Sequence, residues 1–252
     1  HDAKACRVCG HALEHELSFV GHMGHYSCPG CGMKRPTPDV FASEISLHGM
    51  RGLEAKIVTP EATCRLELPL PGLYNLYNAL GAIATARRLG VGLEGATASL
   101  SGMKAVFGRV ERIQMEQTEL SILLIKNPAG ANEVIRTLAL EPGRLSLWLA
   151  LNDRIADGRD ISWIWDADFE MLSGRVESIV CTGTRASEMA LRLKYAGLDE
   201  QTIQVVDDLE DALDTALAAS PEQLFAMPTY TALLELRGLL ADRGKAERYW
   251  AD

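Results

Sequence analysis

LSILLIKNPAGANEVIRTL, residues 120 to 138, decides the fold. Residues 120–125 form a short aliphatic run that reads as a strand, KNPAG breaks it, and residues 131–138 repeat their apolar positions at helical spacing. The alternation continues to the end of the chain. Strand-like runs fall at 145–151, 176–181, 203–206 and 223–227, and helical periods at 185–196, 209–219 and 231–241. Strand then helix, repeated, predicts a parallel sheet covered by helices on both faces, and right-handed crossovers give it a Rossmann-like wrap. Function in such sheets gathers after the carboxyl ends of the strands. That directs attention to KNPAG, to NDRIADGRD (152–160), to TGTRAS (182–187) and to PTYT (228–231).

Upstream the pattern differs. Apolar residues alternate at Ala55-Ile57 and at Cys64-Leu66-Leu68, with Gly49, Gly52 and Pro60 marking turns, so short strands are expected there. From residue 73 to 89 the period becomes helical, preceded by Pro71-Gly72 and closed by Gly90, and a shorter helix is expected at 94–100. SGMKAVFGRVERI (101–113) interrupts the pattern with Gly102 and Gly108. A boundary near residue 105 therefore divides the chain into residues 1–104 and 105–252.

Two CxxC pairs, Cys6/Cys9 and Cys28/Cys31, stand 18 residues apart. Each two-residue spacer lets the backbone turn so that both thiolates face one metal, and Gly10 and Gly32 suit the tight turns. Four thiolates around zinc leave no open position, which predicts a structural Zn2+ in a ribbon over about residues 5–35. His11, His15, His22 and His25 between the knuckles read as solvated loop residues. Cys64 and Cys181, in strand-like surroundings, read as core.

Lys plus Arg number 25 against 34 Asp plus Glu, a formal charge of −9, so the surface repels phosphate backbones and no nucleic acid partner is expected. No run of about 18 apolar residues offers a transmembrane segment, and His1 to Lys4 lead into the cysteines without a signal-peptide hydrophobic region, so a cytoplasmic protein is expected.

LPLPGLYNLYNALGAIATARRLGV, FGRVERI, LIKNPAGANEVIRTL, LNDRIADGRDISWIWDADFE and MPTYTALLELR together resemble the MurT family, a branch of the Mur ligases with a four-cysteine ribbon inserted in the central domain. The resemblance implies a Mur-ligase-like α/β fold: part of the central domain with its ribbon, then a C-terminal Rossmann-like domain. It implies ATP- and Mg2+-dependent amidation of the D-glutamate α-carboxylate of lipid II at the inner face of the membrane, with ammonia from a GatD-type glutaminase in a heterodimer. Asn75 and Asn78 match the NxxNA helix that presents an amide to adenine; Asn78 is the first choice, with a helix-start cap or packing amide as the other reading. Arg109, in FGRVE, matches the arginine that reaches the phosphates on domain closure, with Glu111 beside it to position it.

KNPAG departs from the family pattern. Amino-acid-adding ligases carry Asp-x-x-His-x-Pro there, whereas Leu123 and Lys126 occupy the acid and histidine positions. Lys126 and Asn127 either contact phosphate or shape the strand exit. Asp153, Asp157, Asp160 and Asp166 cluster after a strand beside Trp163 and Trp165, which look exposed; a solvated loop or a cation site are the plain readings. The resemblance instead implies that one aspartate completes a Cys-His-Asp arrangement in the glutaminase, with Asp160 first, Asp157 second and Asp166 third. A phosphate-cradling GxxxxGK[ST] loop does not precede Cys6, so a chain inactive by itself is expected. The alternatives are an amino-acid-adding Mur or folylpolyglutamate-type ligase, which would want the missing acid and histidine, and a non-catalytic zinc-ribbon adaptor.

Overall fold

The computed structural model describes residues 4–19, 24–103, 109–220 and 222–247, with Arg109 described by its backbone only. Its contacts divide it into two compact units, one of His1–Leu47 and Gly52–Met103, the other of His48–Arg51 and Lys104–Asp252.

In the first unit a small antiparallel hairpin, β1 (Glu14–Ser18) and β2 (Gly24–Ser27), carries both cysteine knuckles at its open end, one before β1 and one after β2. β3 (Phe41–Leu47), β4 (Leu53–Val58) and β5 (Thr63–Leu68) form a separate antiparallel sheet in that order. Side chains alternate across a strand, so Leu53, Ala55 and Ile57 share one face with Leu66 and Leu68. α1 (Leu73–Arg88) and α2 (Leu93–Ser101) cover that face with Leu76, Ala79, Ile83, Leu93 and Ala96. Cys64 is half-buried at the edge of this core, its Sγ 3.3 Å from Thr97 Oγ1.

The second unit begins with β6 (Arg109–Met115), hairpinned to β7 (Thr118–Leu123). α3 (Pro128–Leu138), β8 (Leu145–Ala150), β9 (Val176–Thr182), α4 (Ala186–Tyr195), β10 (Ile203–Val205), α5 (Leu209–Ala218), β11 (Gln223–Pro228) and α6 (Tyr230–Asp242) follow. The sheet order is β10-β9-β8-β11-β7-β6, parallel throughout except for β6. All of β8 is buried. Leu147 and Leu149 join α3 and α4 on one face, and Trp148 and Ala150 join α5 and α6 on the other.

β6 corrects the expectation of a break through residue 113. Its pairing slips between Arg109 and Glu111, where Val110 adopts φ 70, and the buried positions become Val110, Ile113 and Met115. One extra residue on the bulged strand destroys the two-residue period that announces a strand. Residues 104–108, which include the expected boundary near residue 105, lie outside the described residues.

Candidate functional site

Asn152 follows β8 into the interior at the carboxyl edge of the sheet, with 2% of its surface exposed. Its amide N–H donates to Thr229 Oγ1 (3.0 Å), its Nδ2 to Thr231 Oγ1 (2.9 Å), and its Oδ1 accepts from Thr184 N (2.9 Å). One side chain thus ties together the exits of β8, β9 and β11. Gly183 has φ 94, and a Cβ there would lie 2.7 Å from Asn152 Oδ1 and from Leu151 O, so only glycine allows this approach.

The four loop acids differ in what they do. Asp153 accepts from Thr184 Oγ1 and from Arg185 Nε, each at 2.8 Å, and the Thr184 hydroxyl followed by the arginine holds its carboxyl below the usual range. Both oxygens of Asp157 are taken by Thr231, by its N–H at 2.8 Å and its hydroxyl at 2.5 Å, so this half-buried carboxylate caps α6 from a distant loop. Asp160 is exposed. Its Oδ1 accepts from Ser162 N at 2.8 Å, and the Ser162 hydroxyl and amide hold its carboxyl below the usual range. Asp166 is exposed at the end of the 3-10 turn Ser162–Asp166.

The cation-site reading of this loop is not met: among the described residues, only the four cysteines bring three or more metal-ligating side chains together. The two tryptophans also part company. Trp163 packs half-buried on the core, whereas Trp165 is 51% exposed and meets Tyr195 edge-on at 5.8 Å.

KNPAG leaves β7 at the same edge. Lys126 is exposed, and Asn127 caps α3, accepting from Gly130 N at 2.8 Å with Pro128 in the first turn. Asn127 therefore shapes the strand exit. Arg109 opens β6 opposite Leu123, but its side chain lies outside the described residues. Glu111 pairs with Arg237 of α6 and fastens β6 to that helix.

In the first unit Asn75 and Asn78 share a face of α1. Asn75 is buried and donates to Pro71 O (2.7 Å), while its Oδ1 accepts from Asn78 Nδ2 (3.3 Å). Asn78 is thus exposed and braced from behind.

The cysteine knuckles repeat one backbone pattern. Cys6 N donates to His11 O and Gly10 N to Cys6 O; Cys28 N donates to Met33 O and Gly32 N to Cys28 O. Gly10 and Gly32 take φ 77 and 73. The four sulfurs lie within 4.8 Å of one another, with Cys6 to Cys31 at 3.6 Å and Cys9 to Cys28 at 3.4 Å. Metal–sulfur bonds of about 2.3 Å in a tetrahedron space the sulfurs about 3.8 Å apart, so the set fits zinc. Without a cation the thiols cannot all ionise. The Val8 amide holds Cys6 down at about 6, whereas at Cys9 the help of the His11 amide is outweighed by the Cys28 thiol and by desolvation, and the group stands at about 12. His11 is exposed, His25 is exposed but on β2, and His15 is half-buried on β1, so the loop reading fails for the last two; His22 lies outside the described residues.

The family model described as MurT ligase C-terminal matches residues 124–233. The chain is 37% identical over 239 residues to the lipid II isoglutaminyl synthase (glutamine-hydrolyzing) subunit MurT of Streptococcus pneumoniae, over 94% of this chain and 53% of that protein. Over these residues the chain is similar to the MurT family. It spans about half the length of this relative. Two solved structures share the fold: a pseudomurein peptide ligase type C from Methanothermus fervidus (TM-score 0.66, 23% identity, 95% of this chain and 49% of that one) and MurF from Acinetobacter baumannii (TM-score 0.63, 24% identity, 81% and 45%). The Mur-ligase-like α/β class expected from the sequence is therefore the class found. The described residues include no helix long and apolar enough to cross a membrane.

Sequence reading missed Asn152, Arg185 and Arg192. Asn152 sits beside the quoted acids, but its type says nothing of burial, and its partners lie 32 to 79 residues away. Arg185, in TGTRAS, signals itself only by following a strand exit.

Proposed function

We propose that this chain is part of the ligase subunit that amidates the α-carboxylate of D-glutamate in lipid II, giving D-isoglutamine in cytoplasmic peptidoglycan precursor synthesis at the inner face of the membrane. Kinship with the pneumococcal subunit along 94% of the chain carries the reading. Residues 1–104 are taken as the C-terminal part of the Mur central domain, with the ribbon over about 5–35, and residues 105–252 as the C-terminal domain.

Amide formation from a carboxylate needs a leaving group on the acyl carbon, which ATP supplies with Mg2+. Asn78, exposed and braced by Asn75, suits the donor and acceptor edge of adenine. Lys126 and Arg109 suit the phosphates, with Asn127 holding the turn beside Lys126. The four cysteines hold zinc in a closed shell and take no part in the chemistry.

Ammonia comes from a GatD-type glutaminase partner, and the glutamine-hydrolyzing subunit name of the relative supports a second subunit. Asp160 completes the Cys-His pair of that partner: a carboxylate fixes the histidine tautomer and offsets its positive charge, so the thiolate persists near neutral pH. Asp157 is the weaker candidate because Thr231 occupies both its oxygens.

The test uses the full-length chain with its glutaminase. Asp160→Asn should lower glutamine hydrolysis about a hundredfold at saturating partner, because an amide neither fixes the tautomer nor offsets the charge. Amidation from free ammonium should fall far less. Normal hydrolysis in both Asp160→Asn and Asp166→Asn complexes would remove the shared-triad reading.

A further inference from the structure

Residues 151–175 cross from β8 to β9 without an α-helix, through the 3-10 turns Ser162–Asp166 and Phe169–Leu172. Such turns satisfy few of their own carbonyls, and a crossover this irregular needs partners from elsewhere. Arg192, on α4, supplies them. Its side chain is 3% exposed. Nε donates to Ile164 O (2.9 Å), and Nη2 donates to Ala167 O (2.7 Å) and to both carboxylate oxygens of Glu170 (2.8 and 2.9 Å). The guanidinium also lies over two rings, 5.6 Å from the centre of Trp165 and 5.5 Å from that of Phe169.

A buried guanidinium is costly unless its donors are met, and Ile164 O, Ala167 O and the Glu170 carboxylate, which meet them here, all belong to residues 164–170. α3 holds the same segment from its other side, since Asn132 Oδ1 accepts from Asp168 N at 2.7 Å. Asp160 caps Ser162 N where the first turn starts, two residues before the first carbonyl that Arg192 holds.

We infer that Arg192 is a positioning residue: its buried guanidinium sets the two 3-10 turns, and through them the direction in which the exposed Asp160 carboxylate faces a partner. The inference rests on the reading of Asp160 given above. The planar fork suits this task, because it meets three acceptor groups while lying over two rings.

A double-mutant cycle in the full-length chain, assayed with saturating glutaminase partner, tests it. Arg192→Gln should lower kcat for glutamine hydrolysis about tenfold with KM for glutamine unchanged, and in the Asp160→Asn background it should add less than about twofold. The alkaline limb of the kcat profile should move to lower pH, because an imidazolium poorly paired with its carboxylate loses its proton sooner; general loosening would lower the amplitude without moving the limb. Glu170→Gln, which leaves the arginine in place, should show the same pattern at about threefold and carries the cycle if Arg192→Gln does not fold. An equal loss with and without the Asp160 carboxylate, or no loss in either variant, overturns the positioning role. Normal hydrolysis in Asp160→Asn alone overturns the reading beneath it, and the inference with it.

Discussion

Asp157→Ala is the substitution that separates the structural acid of the loop from Asp160, the one proposed to act on a partner. Two hydrogen bonds to Thr231 disappear, one of them the cap on the first turn of α6. Hydrogen bonds to a charged group contribute about 1.5–3 kcal/mol each when buried, and a lost cap costs about 1 kcal/mol. Two factors reduce the sum: the carboxylate is half-buried, so water replaces part of what is lost, and the Thr231 hydroxyl keeps its bond from Asn152 Nδ2. A loss of about 2 kcal/mol is expected. Urea slopes for domains of this size are about 2 kcal/mol per molar, so the midpoint should fall by about 1 M. All four tryptophans, Trp148, Trp163, Trp165 and Trp250, lie after residue 105, so intrinsic fluorescence follows the second unit. Asp160→Ala, whose carboxylate is exposed, should leave the midpoint in place. A shift below about 0.3 M for Asp157→Ala would mean that the capping geometry carries no stability, and the division of roles among the acids would fall with it.

Protein purified without added zinc should carry about one ion per chain, falling below a tenth of that in Cys9→Ser/Cys31→Ser, with loss of amide protection confined to the ribbon; full occupancy in the variant would place the metal elsewhere. Chelation of that ion should become easier as pH falls, because protons compete for the thiolates. Cys181 is buried and pushed up to about 12 by desolvation, so it should resist alkylation at pH 8 while the half-buried Cys64 reacts, and equal rates would contradict the packing. Asn75→Ala should weaken nucleotide binding in the full-length chain nearly as much as Asn78→Ala, since it removes the brace; an effect of Asn78→Ala alone would reduce Asn75 to a packing amide. The Asp153 carboxyl is held below its ordinary value, so its contribution is present above about pH 4 and lost as pH falls through the folded value. Asp153→Asn should therefore flatten the acid-unfolding curve in that window, and an unchanged curve would show the Thr184 and Arg185 contacts to be without effect.

Legibility in the sequence followed the regularity of the elements. The buried parallel strands and amphipathic helices of the second unit announce themselves because their periods run unbroken, as at Leu145–Ala150, where all six residues are buried. β6 hid because a bulge at Val110 spoils its alternation. The two 3-10 turns hid because they are held by a side chain from α4 rather than by a pattern of their own. The cysteine cluster could be read directly, since two short spacers and a glycine after each pair already demand the knuckle. The acids could be found but not ranked: Asp157 and Asp160 are the same residue type three positions apart, and only Thr231, 74 residues further on, distinguishes them.

A carboxylate lent across a subunit interface has to be exposed and stiff at once, and these demands conflict because exposed loops lose order easily. A histidine in the same chain could hold such an aspartate from the other side; a histidine in another chain can do so only after docking. The stiffness must therefore already be present in the donor, since any freedom left at Asp160 would be removed at the expense of binding. The loop meets both demands by dividing them among neighbours. Asn152 and Asp157 fix its start to the exits of β9 and β11, and Arg192 and Asn132 fix its end to α4 and α3. Asp160 lies between these anchors, with Ser162 N bonded to one oxygen and the group open to solvent. Arg192 and Asn152, both buried, account for the rigidity, and neither residue type says in a sequence that it will be buried and will hold a loop. A substitution at either should leave the acid present and exposed but badly aimed, a defect that appears in turnover before it appears in binding.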